Sequence, residues 1–249
     1  MAHYREVLYR NYSRHFGGRR ANEPEVGLRD SIHHVEYDQV YGAYLPDDRD
    51  AVSVDLGCGQ GAWLAWLQSR GFSSLLGVDV SAEELAACPD VPVEVGDACE
   101  VLQGYSGHFD LIHAKDIIEH LTKQEVIDLL SAARQALRPG GQIWLNTFNA
   151  QALFAEAIFH ADFTHESAFT AQSLAQALRA TGFEIVVSKG FQAAPTRKAW
   201  IRRLIWSLSS KVFGFLLTCG YGNRAKDEVD SGALQPGLLA VARRPLSDA

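Results

Sequence analysis

The chain predicts an α/β fold: an open, doubly wound, mainly parallel sheet of seven strands. Three observations carry that expectation. Short apolar runs of strand length alternate with segments whose apolar residues recur at helical spacing. A glycine-rich turn, "GCGQG" at 57–61, joins the first such run to the first helical segment. No repeat, low-complexity tract or Pro/Gly/Ser linker divides the 249 residues, so a single domain is expected over 1–249. Within it, 1–50 reads as an N-terminal cap, 51–148 as the core, and 149–249 as insertions followed by a terminal hairpin.

Taken in order, "AVSVDL" (51–56) is a buried strand, and "GAWLAWLQSRG" is a helix closed by Gly71. "SLLGVDV" (74–80) is the second strand. In "SAEELAAC", Ser81 stands three residues before Glu84, the spacing of a capping box. "VPVEVGD" (91–97) and "HFDLIHAKD" (108–116) are the third and fourth strands. "KQEVIDLLSAARQALRPGG" is a helix stopped by Pro-Gly-Gly, feeding the strand "QIWLNTF" (142–148). A helix near 170–181 ends at Gly182 and leads to "FEIVVSKG", and "GLLAVARR" (237–244) is the last strand.

Composition narrows the function classes. Apolar residues make up 47%, enough for a sizeable core, and the net charge of -7 argues against a global grip on nucleic acid. Cys58, Cys88, Cys99 and Cys219 show no metal-binding spacing and read as reduced thiols of a cytoplasmic protein. The first 16 residues lack an apolar signal core, and no run of 18 uncharged apolar residues occurs.

In open α/β sheets, ligands bind beyond the carboxyl ends of the strands. Gly57, Gly59 and Gly61 lie at such an end, where glycine permits positive φ and lets a ligand touch the backbone. Asp79 ends the next strand, 20 residues after Gly59, where a carboxylate can accept ribose hydroxyls. Asp97 ends the third and can accept from a base. The loop is G-x-G-x-G, not G-x-G-x-x-G, and Asp55 precedes it. That carboxylate would repel a pyrophosphate but suits an ammonium and a sulfonium, as in S-adenosylmethionine.

"VDLGCGQG", "LLGVDVS", "VEVGDA", "FDLIHAKDIIEHL" and "LRPGGQIWL" together resemble class I S-adenosylmethionine-dependent methyltransferases in order and spacing. The resemblance is strong over residues 50–148 and implies a Rossmann-like sheet whose last strand is reversed. It implies S-adenosyl-L-methionine as cofactor, with Asp55, Gly57 and Gly59 facing the methionine part alongside Gly61. Asp79 would face the ribose, and Asp97 with Ala98 the adenine. Lys115 and Asp116 would flank the sulfonium, and Arg29 would hold the methionine carboxylate.

Methyl transfer to oxygen needs a base for the hydroxyl proton. "DIIEHL" offers Asp116, Glu119 and His120; "HADFTHESAFT" offers His160, Asp162, His165 and Glu166. The second stretch resembles one in bacterial methyltransferases that act on sugars and lipid-linked glycans. That implies a saccharide or lipopolysaccharide-type acceptor and puts His165 first among the bases. His33 and His34 with Glu36 lack further ligands at suitable spacing, so no metal is expected.

Residues 197–218, "RKAWIRRLIWSLSSKVFGFLLT", hold five basic residues and four large aromatics and no acid. Such a stretch reads as an amphipathic helix, basic on one face and aromatic on the other. It could lie on the anionic inner face of a membrane, cover the acceptor, or pack on the core. The expectation is therefore a cytoplasmic enzyme with possible membrane-surface contact and no nucleic-acid partner. Two rivals stand beside it. One is O-methylation of a small molecule such as a quinone precursor, which Tyr4, Tyr9, Tyr12 and Phe16 would suit. The other is a non-catalytic binding partner that keeps the fold.

Overall fold

The computed structural model describes residues 26–86, 88, 90–194, 196–221 and 234–247, together with Tyr4 and Leu8. The strands are β1 (Ser53–Leu56), β2 (Leu75–Asp79), β3 (Val93–Val95), β4 (Phe109–Lys115), β5 (Leu137–Phe148), β6 (Glu184–Phe191) and β7 (Gly237–Arg243). They form one seven-stranded sheet in the order β3-β2-β1-β4-β5-β7-β6. Pairing is parallel from β3 to β5, whereas β7 runs antiparallel to both β5 and β6. The α/β class, the strand count and the reversed last strand all match the expectation.

The helices are α1 (Val26–Tyr41), α2 (Ala62–Ser69), α3 (Ala82–Leu85), α4 (Ala98–Gln103), α5 (Lys123–Ala136), α6 (Ala155–Phe159), α7 (Ala171–Ala180) and α8 (Arg197–Tyr221). Strand residues alternate between the two faces of the sheet. One face sends Val54, Leu56, Ile112, Ala114, Ile143 and Leu145 against α5 and α7. The other sends Leu111, Trp144, Leu239 and Val241 against Tyr37 and Tyr41 of α1 and Trp63 and Trp66 of α2. Each such large side chain, fully buried, contributes about 1.5–3 kcal/mol.

Local signals explain several boundaries. Thr122 and Glu125 close a reciprocal capping box at the start of α5, and Thr170 with Ser173 does the same for α7. The Ser81 hydroxyl accepts from the Glu84 N–H, as its spacing predicted.

Other boundaries depart from the sequence reading. β5 starts at Leu137 rather than at Gln142, because the chain passes from α5 straight into the sheet. Leu137 pairs with Phe109, and the register shifts before Leu111 pairs with Gln142. Gly140, at φ 83°, and Gly141 accommodate that irregularity. The sequence reading places no helix at α1, α4 or α6. Among the described side chains of α1, Tyr37, Val40 and Tyr41 are buried, set among polar residues that hide the helical period.

The expected segregation of α8 into a basic and an aromatic face is corrected. Arg202 and Arg203 sit between Ile201 and Leu204, and all four are exposed, so basic and apolar side chains interleave. Ala199 and Gly214 are buried, and the Trp206 indole N–H donates to the Leu234 carbonyl at 2.7 Å. Most of the helix therefore stands away from the sheet. No helix among the described residues is long and apolar enough to cross a membrane.

Candidate active site

The carboxyl ends of β1, β2 and β4 open on one edge of the sheet, and the glycine loop occupies the first of them. Gly57, Gly59 and Gly61 all have positive φ (62°, 52° and 76°). They do so for different reasons. A Cβ on Gly57 would lie 2.4 Å from Ile117 Cδ1, so this position is closed by the protein's own packing. A Cβ on Gly59 would meet nothing within 4 Å, which leaves its backbone open to a ligand. Gly61 caps α2 without a side chain.

Asp79 ties the loop to β2. Its Oδ2 accepts from the Gly59 N–H at 2.9 Å, and its Oδ1 accepts from the Ser81 N–H at 2.8 Å. The carboxylate is thus placed beside the open glycine by two backbone donors. Asp97 is the N-cap of α4, its Oδ1 accepting from the N–H groups of Cys99 and Glu100, and Ala98 begins that helix half-buried.

Asp55 sits below the loop rather than on its surface. It is 3% exposed, and its Oδ1 lies 2.6 Å from His113 Nδ1. The two residues face each other directly in the β1–β4 register, which is why their side chains share one face. His113 Nε2 contacts the Tyr41 hydroxyl at 3.0 Å, and the Asn146 amide donates to the same hydroxyl at 3.1 Å. The His113 ring stacks on Trp63 with centroids 4.3 Å apart. Burial pushes the Asp55 carboxyl up, against the opposing pull of His113. Sequence reading missed His113, Tyr41 and Asn146. For His113 and Asn146 the signal was a polar residue inside an otherwise apolar strand; Tyr41, at the end of α1, carried none.

At the end of β4, Lys115 pairs with Asp116, which takes a positive φ of 54°. Burial would lower Lys115, but Asp116, Tyr37 and Glu36 together hold its ammonium above the ordinary lysine value. One short turn later, Glu119 is 3% exposed. Its Oε2 has no hydrogen-bond partner among the described residues. Burial, helped by the nearby Asp116 carboxylate, pushes it up to about 8. Burial and the His165 ring push His120 down.

The two sequence stretches expected to supply bases do meet. The Glu119 carbonyl accepts from the N–H groups of Glu166 and Ser167, pinning the 160–170 segment against the 118–120 turn. The His120 and His165 rings lie 4.8 Å apart. His165 packs against Phe148 and Phe159. His160 is exposed beside Phe159 and is not part of the cluster. The Tyr4 hydroxyl donates to Glu166, while Tyr9, Tyr12 and Phe16 lie outside the described residues. Arg29 falls on α1, but its side chain also lies outside them.

Beside this edge is an open cavity of about 650 Å³, lined by Lys115, Asp116, Asn146, Gln192, Thr196 and Arg202 among others. A methyltransferase-domain family model matches residues 31–188, well over half of the chain. The chain belongs to that family. Similar proteins include a ubiquinone biosynthesis O-methyltransferase of Leptothrix cholodnii, 26% identical over 59% of this chain and 71% of the relative. A trans-aconitate 2-methyltransferase of Deinococcus radiodurans is 36% identical, but the match covers only 40% of this chain and 38% of that protein. Among solved structures, a SAM-dependent methyltransferase from Archaeoglobus fulgidus superposes with a TM-score of 0.61 at 19% identity. That match covers 86% of this chain and 94% of that one.

Family and fold are those of S-adenosylmethionine-dependent methyltransferases. The residues of this methyltransferase suit that cofactor. Gly59 presents open backbone, Asp79 presents a fixed carboxylate beside it, and the Lys115–Asp116 pair stands at the neighbouring strand end.

Proposed function

We propose that this methyltransferase methylates a hydroxyl of a saccharide, on a glycan carried by a lipid of the lipopolysaccharide type. The observation that carries the reading is the cavity wall. Amide, hydroxyl, carboxylate and guanidinium groups (Asn146, Gln192, Thr196, Glu36, Arg202) line part of the space next to Asp116, and Ile32, Phe148 and Phe191 supply an apolar part that the C–H face of a sugar can cover. A polyhydroxylated ring can satisfy such groups, whereas a flat apolar ring would leave them unpaired.

S-adenosylmethionine supplies a methyl group on a positively charged sulfur. The chain's own task is to place the acceptor and take up its proton. Asp79 and Gly59 hold the donor side, with Asp97 and Ala98 toward the base and Arg29 toward the carboxylate. The acceptor proton goes to the Glu119, His120 and His165 cluster; Asp116 lines the cavity, and its charge acts on both Glu119 and His120. Lowering of His120 by burial keeps its imidazole neutral, the form able to accept a proton.

The lipid part of the reading rests on α8. Arg202 and Ala199 line the cavity, while Trp200, Ile201, Leu204 and Ile205 of the same helix are exposed. A helix resting on an anionic bilayer at the inner face would therefore bring the cavity to a headgroup-borne glycan. One observation favours a second reading. The Leptothrix cholodnii relative is named for ubiquinone biosynthesis, which fits O-methylation of a small quinone precursor.

The test is a transfer assay with labelled S-adenosylmethionine, offering lipid-linked oligosaccharides, the free oligosaccharides and a polyprenylated catechol side by side. Label on the saccharides is the expected result. Label on the catechol alone would replace the glycan by a quinone precursor.

A further inference from the structure

The Glu119, His120 and His165 side chains each offer a ligand atom, and those atoms all lie within 4.8 Å of one another. Two histidine nitrogens and one carboxylate oxygen are a donor set that suits a divalent first-row transition metal. The surroundings fix which nitrogen of each ring carries the proton. His165 Nδ1 lies 2.9 Å from the Phe159 carbonyl oxygen. A carbonyl can only accept, so Nδ1 carries the proton and Nε2 carries the lone pair.

His120 is oriented the same way through a longer chain. The Thr164 hydroxyl donates to Asp162 Oδ1 at 2.6 Å, so its oxygen accepts from His120 Nδ1 at 2.8 Å. His120 too presents its lone pair at Nε2. Metal-bound histidines typically donate their other N–H to a carbonyl, a carboxylate or a group backed by one, and both arrangements occur here. The third member is Glu119, whose Oε2 is buried with no hydrogen-bond partner among the described residues. A buried carboxyl oxygen without a partner is costly, and a cation that displaces the carboxyl's proton would relieve that cost.

We infer that Glu119, His120 and His165 form a binding site for one divalent transition metal such as Zn²⁺, Mn²⁺ or Fe²⁺. The inference deepens the function proposed above and rests on it for the metal's use. Three protein ligands leave positions open for the acceptor hydroxyl. A hydroxyl bound there would be more acidic and would give its proton to the Asp116 carboxylate or to solvent at the open cavity, with the two imidazoles serving as ligands instead of as bases. The cluster joins two segments far apart in sequence, and this departs from the sequence expectation of no metal.

The experiment uses the untagged full chain, stripped with a chelator and dialysed, then titrated with Co²⁺ as a spectroscopic probe. One equivalent is expected to bind with visible ligand-field bands. Glu119→Gln and His165→Gln are expected to weaken binding at least tenfold while still binding S-adenosylmethionine, which shows that they are folded. His33→Gln, at the cavity but outside the cluster, is expected to bind Co²⁺ like the wild type. In the unmutated chain, Zn²⁺ should shift the imidazole NMR signals of two of its nine histidines.

Absence of stoichiometric Co²⁺ binding, binding unchanged in both cluster variants, or Zn²⁺ shifts in other histidines would each overturn the inference. So would full methyl transfer by verified metal-free protein, an outcome that leaves the glycan reading intact. Conversely, a bound metal with no transfer to any saccharide sinks the acceptor reading and not the metal site.

Discussion

Asp79 meets the Gly59 and Ser81 amides with separate oxygens, so it shapes the glycine loop and stands beside the open position of Gly59. Asp79→Ala should raise the dissociation constant for S-adenosylmethionine at least about tenfold, as expected for one lost hydrogen bond to a charged group. Titration calorimetry reads this directly, and an unchanged affinity would remove Asp79 from the site. Asp55 makes a different kind of contribution. Burial raises its folded-state pKa, so the native chain keeps the proton at pH values where the unfolded chain has released it. Folding is then favoured below the ordinary carboxylate value of about 4, and the advantage is lost as pH rises through the raised value. Asparagine at this position cannot ionise. The stability deficit of Asp55→Asn relative to wild type should therefore shrink from pH 4 to pH 7. Thermal unfolding across that range is the measurement, and a deficit that grows with pH contradicts the assignment.

Among the elements, α8 is the one whose role differs most from its neighbours. Helices α2, α5 and α7 bury their apolar residues on the sheet, but α8 leaves Trp200, Leu208, Val212 and Phe215 exposed among basic side chains. Long basic side chains can extend past apolar neighbours to lipid headgroups, so interleaving does not prevent interfacial binding. Each Lys or Arg near an anionic surface is worth about 1 kcal/mol. Arg202→Ala with Arg203→Ala should thus weaken binding to phosphatidylglycerol vesicles by about 2 kcal/mol, near thirtyfold. Co-sedimentation with those vesicles and with neutral phosphatidylcholine vesicles measures it. Equal binding to both lipids, or equal binding by wild type and variant, would detach α8 from the membrane. The composition of this segment was legible in the sequence. Its contacts were not, because helical periodicity says which residues share a face but not whether that face meets the core.

For the whole molecule, the alternation of apolar strands with helices predicts the sheet. Gly59 and Asp79 stand at its carboxyl edge, and the residues of that edge are legible because they lie a few positions from each strand end. Local signals of this kind do not depend on which strands become neighbours. Caps behave the same way: Ser81, Thr122 and Thr170 begin helices through contacts three residues long.

Where a feature needs two distant segments, the sequence was silent. Asp55 meets His113 because β1 and β4 are adjacent in register, and Tyr41 and Asn146 reach the pair from a helix and from β5. The cluster of Glu119, His120 and His165 exists because Glu166 and Ser167 bond to the Glu119 carbonyl. Both stretches were read as sources of bases, yet only packing brought them within reach of one another. The sequence by itself determined the α/β class, the glycine loop and the identity of the chemical groups, since these follow from local propensity and spacing. Only the tertiary structure decided which of those groups are buried, paired or brought together. Burial and pairing depend on register between strands and on long-range contacts, and no local pattern encodes them.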